Sequence, residues 1–239
     1  MLKENEDKLL KIVNKYLDEK SKNEFLDIVL PIVEHPEFQK RMSNTFLHHS
    51  DITLGEHLIE DAAVTYCLCK KEKKKVNLNL AVKIALFHDL YTIPWQNNKK
   101  NTKVKKISNK HGFRHPIEAV INAYTWYPNE FENITNARII IDGIIHHMYP
   151  LPVTRFNEKN VEKCEIRNYD KFIELPDYIK KIIYESCNRG KLFKVSLCRS
   201  KYKDGRLMSK ADKKVSIHQI KNVSSAFSLL TGKNRSIKK

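Results

Sequence analysis

Glycine is scarce in this chain, with 6 in 239 residues, which argues against a β-rich fold built on many tight turns. No apolar run approaches the roughly 20 residues that a membrane span needs. The amino-terminal stretch MLKENEDKLLKIVNKYLDEK also lacks the continuous apolar segment of a secretory signal. A cytoplasmic protein with no membrane partner is therefore expected. The five cysteines, at 67, 69, 164, 187 and 198, form no CxxC pair, so reduced core thiols are the reading, not metal or redox work. There is no Gly-rich phosphate cradle and no base-reading motif, so a substrate cannot be named from such signals.

What is present in excess is positive charge. The formal net charge is +16, and residues 156–239 hold 21 Lys or Arg against 9 Asp or Glu. A field of that sign attracts polyanions, either nucleic acid or phosphorylated small molecules. Lys, Asn and Ile are abundant together, as in proteomes of AT-rich genomes, so part of the excess has a compositional origin.

Helical spacing dominates the chain, and an all-α fold is expected. Leu9, Ile12, Val13, Tyr16 and Leu17 recur at helical intervals, and Phe25, Leu26, Val29 and Leu30 follow before Pro31. The spacing predicts a helix over about 53–70, with His57 beside its apolar stripe and Asp61 one turn further on. Another is predicted over about 78–90, with Ala81, Ile84, Ala85 and His88 along one face. Residues 96–113 have no apolar period and read as a loop. Pro116, after His115, suits the first position of a helix, and a further helix is expected over about 133–148. The segment 156–206 shifts in composition and reads as an insertion with short strands. The last helix is expected over about 210–230, followed by a basic tail. The domain reading is one unit over 1–239: amino-terminal helices at 1–40, a metal-binding core at 41–155, the insertion at 156–206 and a closing segment at 207–239.

Eight of the ten histidines lie between 48 and 147. Imidazole and carboxylate suit Zn, Mn, Fe, Co or Ni, and ligands projecting from several helices can enclose such an ion. A His-Asp doublet at the end of an apolar helix, His88 and Asp89, is costly to bury unless something binds it.

The stretches ITLGEHLIEDAAVTYCLCKK, AVKIALFHDLY, GFRHPIEAV and IIIDGIIHHMYPLP, over about residues 40–153, resemble the HD-domain superfamily of metal-dependent phosphohydrolases, and its small bacterial branch in particular. The resemblance implies a helical bundle in which His57 is the first ligand, His88 and Asp89 form the signature doublet, and His115 and His147 are the extra histidines of members that hold two metals. It implies Asp212, in SKADKKVS, as the last ligand, with Asp142, Asp170 and Asp204 as substitutes. The long interval from His147 to Asp212 is what marks 156–206 as inserted. Asp89 would bridge two ions, one held by His57, His88 and Asp212, the other by His115 and His147. His88 and Asp89 are the catalytic candidates.

His146 is read as a supporting neighbour that could exchange roles with His147, since adjacent helical residues diverge by about 100°. Arg114, His49, Lys103 and Lys105 are the candidates for contacting substrate, and His111 is a candidate outer ligand. The expected activity is hydrolysis of a phosphomonoester or phosphodiester, nucleotide-like in kind, with one or two divalent transition ions. The competing expectations are a nucleic-acid-binding protein or nuclease on an HD scaffold, and a di-iron oxygenase.

Overall fold

The computed structural model describes residues 1–49, 51–94, 110–164 and 166–219, with the backbone alone at 49 and 163. The fold is predominantly α-helical, with a few short strands. The helices are α1 Lys3–Tyr16, α2 Glu19–Val33, α3 Pro36–Arg41, α4 Leu54–Lys71, α5 Leu78–Phe87, α6 His111–Trp126, α7 Ile134–Ile145, α8 Tyr169–Glu174, α9 Asp177–Cys187 and α10 Lys203–Gln219. Strands β1 Leu47–His49 and β2 Ile52–Thr53 pair antiparallel. Further on, β3 Val153–Thr154, β4 Lys191–Leu192 and β5 Val195–Ser196 form a small antiparallel sheet in the order β3-β5-β4.

Local chemistry sets the start of α4. The Thr53 side chain accepts from the Glu56 backbone N–H, and Glu56 accepts in return from the Thr53 N–H, so a capping box holds the first turn. Small residues, Gly55, Ala62 and Ala63, let neighbours approach from several sides, and most of the helix is buried. α4 lies in the middle of the molecule against α1, α5 and α10, while α7 packs on α5, α6, α9 and α10. The main hydrophobic cluster extends from Leu9 to Met208 and includes Phe156, Phe172, Ile179 and Ile183 from the 156–206 segment.

Three boundaries differ from the sequence expectation, each for a packing reason. α2 runs through Pro31 to Val33, because Ile32 and Val33 are core residues and the Ile32 carbonyl accepts from the Tyr127 hydroxyl at 2.9 Å. α6 begins at His111, before Pro116, and the His115 ring bonds back to the His111 carbonyl at 3.2 Å. α10 begins at Lys203, where the Asp204 carboxylate accepts from the Asn77 N–H at 2.6 Å. There α10 crosses α7 closely: a Cβ on Gly205 would stand 2.7 Å from the Gly143 Cα. Only glycine admits that approach.

No helix among the described residues is long and apolar enough to cross a membrane. The expected loop over 96–113 falls largely outside the described residues, as does the basic tail.

Candidate metal centre

Five elements deliver polar side chains to one buried place. α4 presents His57 and Asp61, one turn apart on the same face. His88 ends α5 and Asp89 follows it. His115 comes from α6, His147 from the turn after α7, and Asp212 from α10. Ser209 of α10 donates to the His147 carbonyl at 2.5 Å, which fastens these last two contributors together. All seven side chains are buried.

The inner half gathers around Asp61. Its Oδ2 lies 3.3 Å from His57 Nε2 and 3.4 Å from His88 Nε2, and Asp212 Oδ1 lies 3.9 Å from both nitrogens. The outer half gathers around Asp89 Oδ1, which is 3.0 Å from His115 Nε2 and 3.4 Å from His147 Nε2. The other Asp89 oxygen, Oδ2, turns towards His88 Nε2 at 3.9 Å. Asp89 thus offers one oxygen to each half. The ligand atoms of His57, Asp61, His88 and Asp212 lie within 4.8 Å of one another, as do those of His88, Asp89 and His147.

Hydrogen bonds on the far side of each ring set which nitrogen faces inward. His88 Nδ1 meets the Ala85 carbonyl at 2.7 Å, His147 Nδ1 the Ile144 carbonyl at 2.7 Å, and His115 Nδ1 the His111 carbonyl at 3.2 Å. A carbonyl only accepts, so each Nδ1 carries a proton and Nε2 is the nitrogen turned to the cluster, where it offers a lone pair to a cation when unprotonated. His57 Nδ1 meets Gln219 Oε1 at 2.8 Å, and Gln219 Nε2 donates to Glu60 Oε2 at 2.6 Å, which fixes the amide orientation. Glu60 is held in turn by Lys15 at 2.6 Å and Tyr16 at 2.5 Å. This is the arrangement that orients metal-ligating imidazoles.

The electrostatics leave an unbalanced cluster. Among the described residues no Lys or Arg comes within ion-pair distance of Asp61, Asp89 or Asp212. Neither oxygen of Asp61 accepts a hydrogen bond among those residues, and His88 Nε2 has no hydrogen-bond partner there either. Burial, then the charges of Asp212, Asp89 and Glu60, push the Asp61 carboxyl well above the usual carboxylate range. Burial also raises Asp89, but His115 and His88 outweigh it and hold that carboxyl well below the range. Burial lowers His88. It lowers His147 as well, yet the bond and charge of Asp89 prevail and raise that ring. His115 Nε2 and His147 Nε2 stand 3.1 Å apart, so two lone pairs and the Asp89 oxygen converge on a point that asks for a proton or a cation. The residues present fit a divalent ion.

Of the residues singled out in the sequence, His57, His88, Asp89, His115, His147 and Asp212 come together here. His146 does not join them: it turns away to Cys198, 3.6 Å from its Nδ1, and to Asp142, 3.8 Å from its Nε2. Asp142 itself accepts from Arg189 at 2.6 Å, Ser200 at 2.7 Å and the Lys201 N–H at 2.8 Å. Arg114 is buried beside His115 on α6. His111 stacks edge-on to Tyr91, and burial, then His115, push its pKa down to about 3. The side chain of His49, together with Lys103 and Lys105, lies outside the described residues.

Three participants were not singled out from sequence. Asp61 shares a buried face with His57, and its helical offset was the available signal. His48 stacks on His57 with ring centroids 4.1 Å apart and bonds Tyr91 at 2.6 Å. Gln219 carries no local signal at all. No family model, curated protein or solved structure matches the chain.

Proposed function

We propose that the chain is a divalent-metal phosphohydrolase of the HD type, acting on a phosphomonoester or phosphodiester of nucleotide-like chemistry. The observation that carries this reading is the set of four imidazoles, each committing Nδ1 to an acceptor and turning Nε2 onto three buried carboxylates that no Lys or Arg meets among the described residues. The order of His57, the His88-Asp89 doublet and Asp212, with His115 and His147 between, supports the HD assignment.

In this reading His57, His88 and Asp212 would hold one ion and His115 and His147 a second, with Asp89 available to both. A bound divalent ion supplies Lewis acidity, bringing water towards ionisation near neutral pH and offsetting charge on phosphoryl oxygens. The chain's own contribution is orientation and exclusion of water. Carbonyls of Ala85, Ile144 and His111 fix three rings, and Gln219 with Glu60 fixes the fourth. Core side chains of α4, α5 and α7 keep bulk water from the inner half. Arg114 remains the candidate for contact with an anionic substrate, and the positive charge of residues 156–239 favours the approach of one.

The test is elemental analysis of the purified chain beside Asp89→Ala, then a screen of nucleotides and phosphodiesters with the ion found. Bound transition metal with phosphoester turnover, both lost in Asp89→Ala while the far-ultraviolet circular dichroism stays helical, is the expected result. A chain that takes up none of Mn, Fe, Co, Ni or Zn would remove the proposal.

A further inference from the structure

We infer that Asp61 is a further protein ligand that, with His57, His88, Asp212 and the shared Asp89, closes the inner half of the centre, so that the inner ion is retained as part of the structure and the outer ion exchanges and meets substrate. The inference rests on the metal reading above and adds a division of labour to it.

Three observations carry it. Asp61 is fully buried on α4, and neither of its oxygens accepts a hydrogen bond among the described residues. A carboxylate in that condition is costly unless a cation satisfies it. Its Oδ2 also lies nearly equidistant from His57 Nε2 and His88 Nε2, at 3.3 and 3.4 Å. Both nitrogens belong to rings whose protons are on the opposite side, so oxygen and nitrogen lone pairs converge. Finally, the two halves differ in the number of protein atoms available. His57, Asp61, His88 and Asp212 offer four mutually adjacent ligand atoms. Around Asp89 Oδ1 the close partners are His115 and His147.

With the shared Asp89 counted for both, the inner ion has five protein ligands on offer and the outer ion three; four or more fill the shell of an ion held for structure, whereas three leave a position for water or a phosphoryl oxygen. The chemistry of the inner set, two imidazoles and three carboxylates, suits Zn, Fe or Mn more than a soft-metal site would. Removing Asp61 would leave His57, His88, Asp212 and the shared Asp89, a set one carboxylate shorter that releases its ion more readily.

The experiment loads the full-length chain with Zn or Mn, dialyses it against metal-free buffer, and follows ions per chain with time. Wild type is compared with Asp61→Asn, Asp61→Ala and the double variant His115→Ala/His147→Ala. The expected wild-type course is biphasic, with one ion leaving quickly and one retained. The double variant should keep the retained ion and lack the fast one. In Asp61→Asn, which keeps the shape and drops the charge, release of the retained ion should quicken at least about tenfold, as loss of a ligand requires. Melting of the stripped proteins supplies a second readout: Asp61→Asn should melt no lower than wild type without metal, and should gain less on loading.

Unchanged retention in both Asp61 variants would overturn the role of Asp61 and leave the hydrolase reading standing. A single release phase for both ions in wild type would overturn the division of labour. A wild-type chain that binds no ion would overturn this inference and the hydrolase reading together.

Discussion

His146 and His147 are neighbours in the chain and lead into two different buried polar clusters. On the His146 side, Asp142 is fully answered by Arg189, the Ser200 hydroxyl and the Lys201 N–H. Across the backbone, on the His147 side, Asp61, Asp89 and Asp212 sit among imidazoles with no Lys or Arg at ion-pair distance among the described residues. The same core thus holds carboxylates neutralised by the chain, Asp142 among them, and three that no Lys or Arg meets among the described residues. Buried ionic groups that are self-sufficient hold structure together, and those left short of positive charge are where a cation belongs.

The contrast can be broken most strongly at its satisfied end. Asp142→Ala strips the acceptor from Arg189, Ser200 and Lys201 at once, and should cost about 2–4 kcal/mol, the lower part of that range applying because the Arg189 side chain is one-third exposed. Urea unfolding with and without divalent metal should show the same loss in both conditions. A loss that appeared only with metal would mean that the two clusters are not separate.

Gln219→Ala sharpens the other end. It removes the acceptor of the His57 Nδ1–H and the donor to Glu60, so metal affinity should fall about 10–100-fold, read by competition with a chelating dye. Stripped protein should lose only about 1 kcal/mol.

The smallest effect belongs to His35, far along the chain from either cluster. Its Nδ1 accepts from the Glu37 N–H at the start of α3, and burial holds the ring below its ordinary 6.5. The unfolded chain then binds the extra proton first, so stability rises with pH through the window below 6.5 and is lost as pH falls through it. His35→Asn keeps a capping side chain and should remove that part of the slope in unfolding measured from pH 5 to 8. The slope that remains reports on the two clusters.

Much of this was legible in the chain itself, for identifiable reasons. The helical class, the centre of α4 and the inward face of His88 follow from apolar spacing, which long buried helices express strongly. The grouping of His57, His88, Asp89, His115 and His147 was readable because the chain concentrates histidine there. Helix ends were less legible: Pro31 and Pro116 are local stop or start signals, and both were overridden by core contacts of the turns around them. Asp61 was located one turn beyond His57 but not read as a ligand, because an acidic residue beside an apolar stripe reads the same whether it meets solvent or a ligand. His147 was favoured over His146 by spacing, because it shares a face with Ile140 and Ile144, although one residue's difference at the end of α7 depends on how the last turn unwinds.

The crossing of α7 and α10 sets a tolerance for the whole centre. A methyl group on Gly205 would collide with the Gly143 Cα at 2.7 Å and with Ser200 Oγ at 2.5 Å, and that hydroxyl is the one that bonds Asp142. The neutralised cluster is therefore the footing against which α10 is gauged, and Asp212 lies two turns along the same rod. A single added carbon at the footing would be magnified down the helix into a misplaced oxygen at the other end. The spacing of the centre is machined at a place that contains none of its ligands.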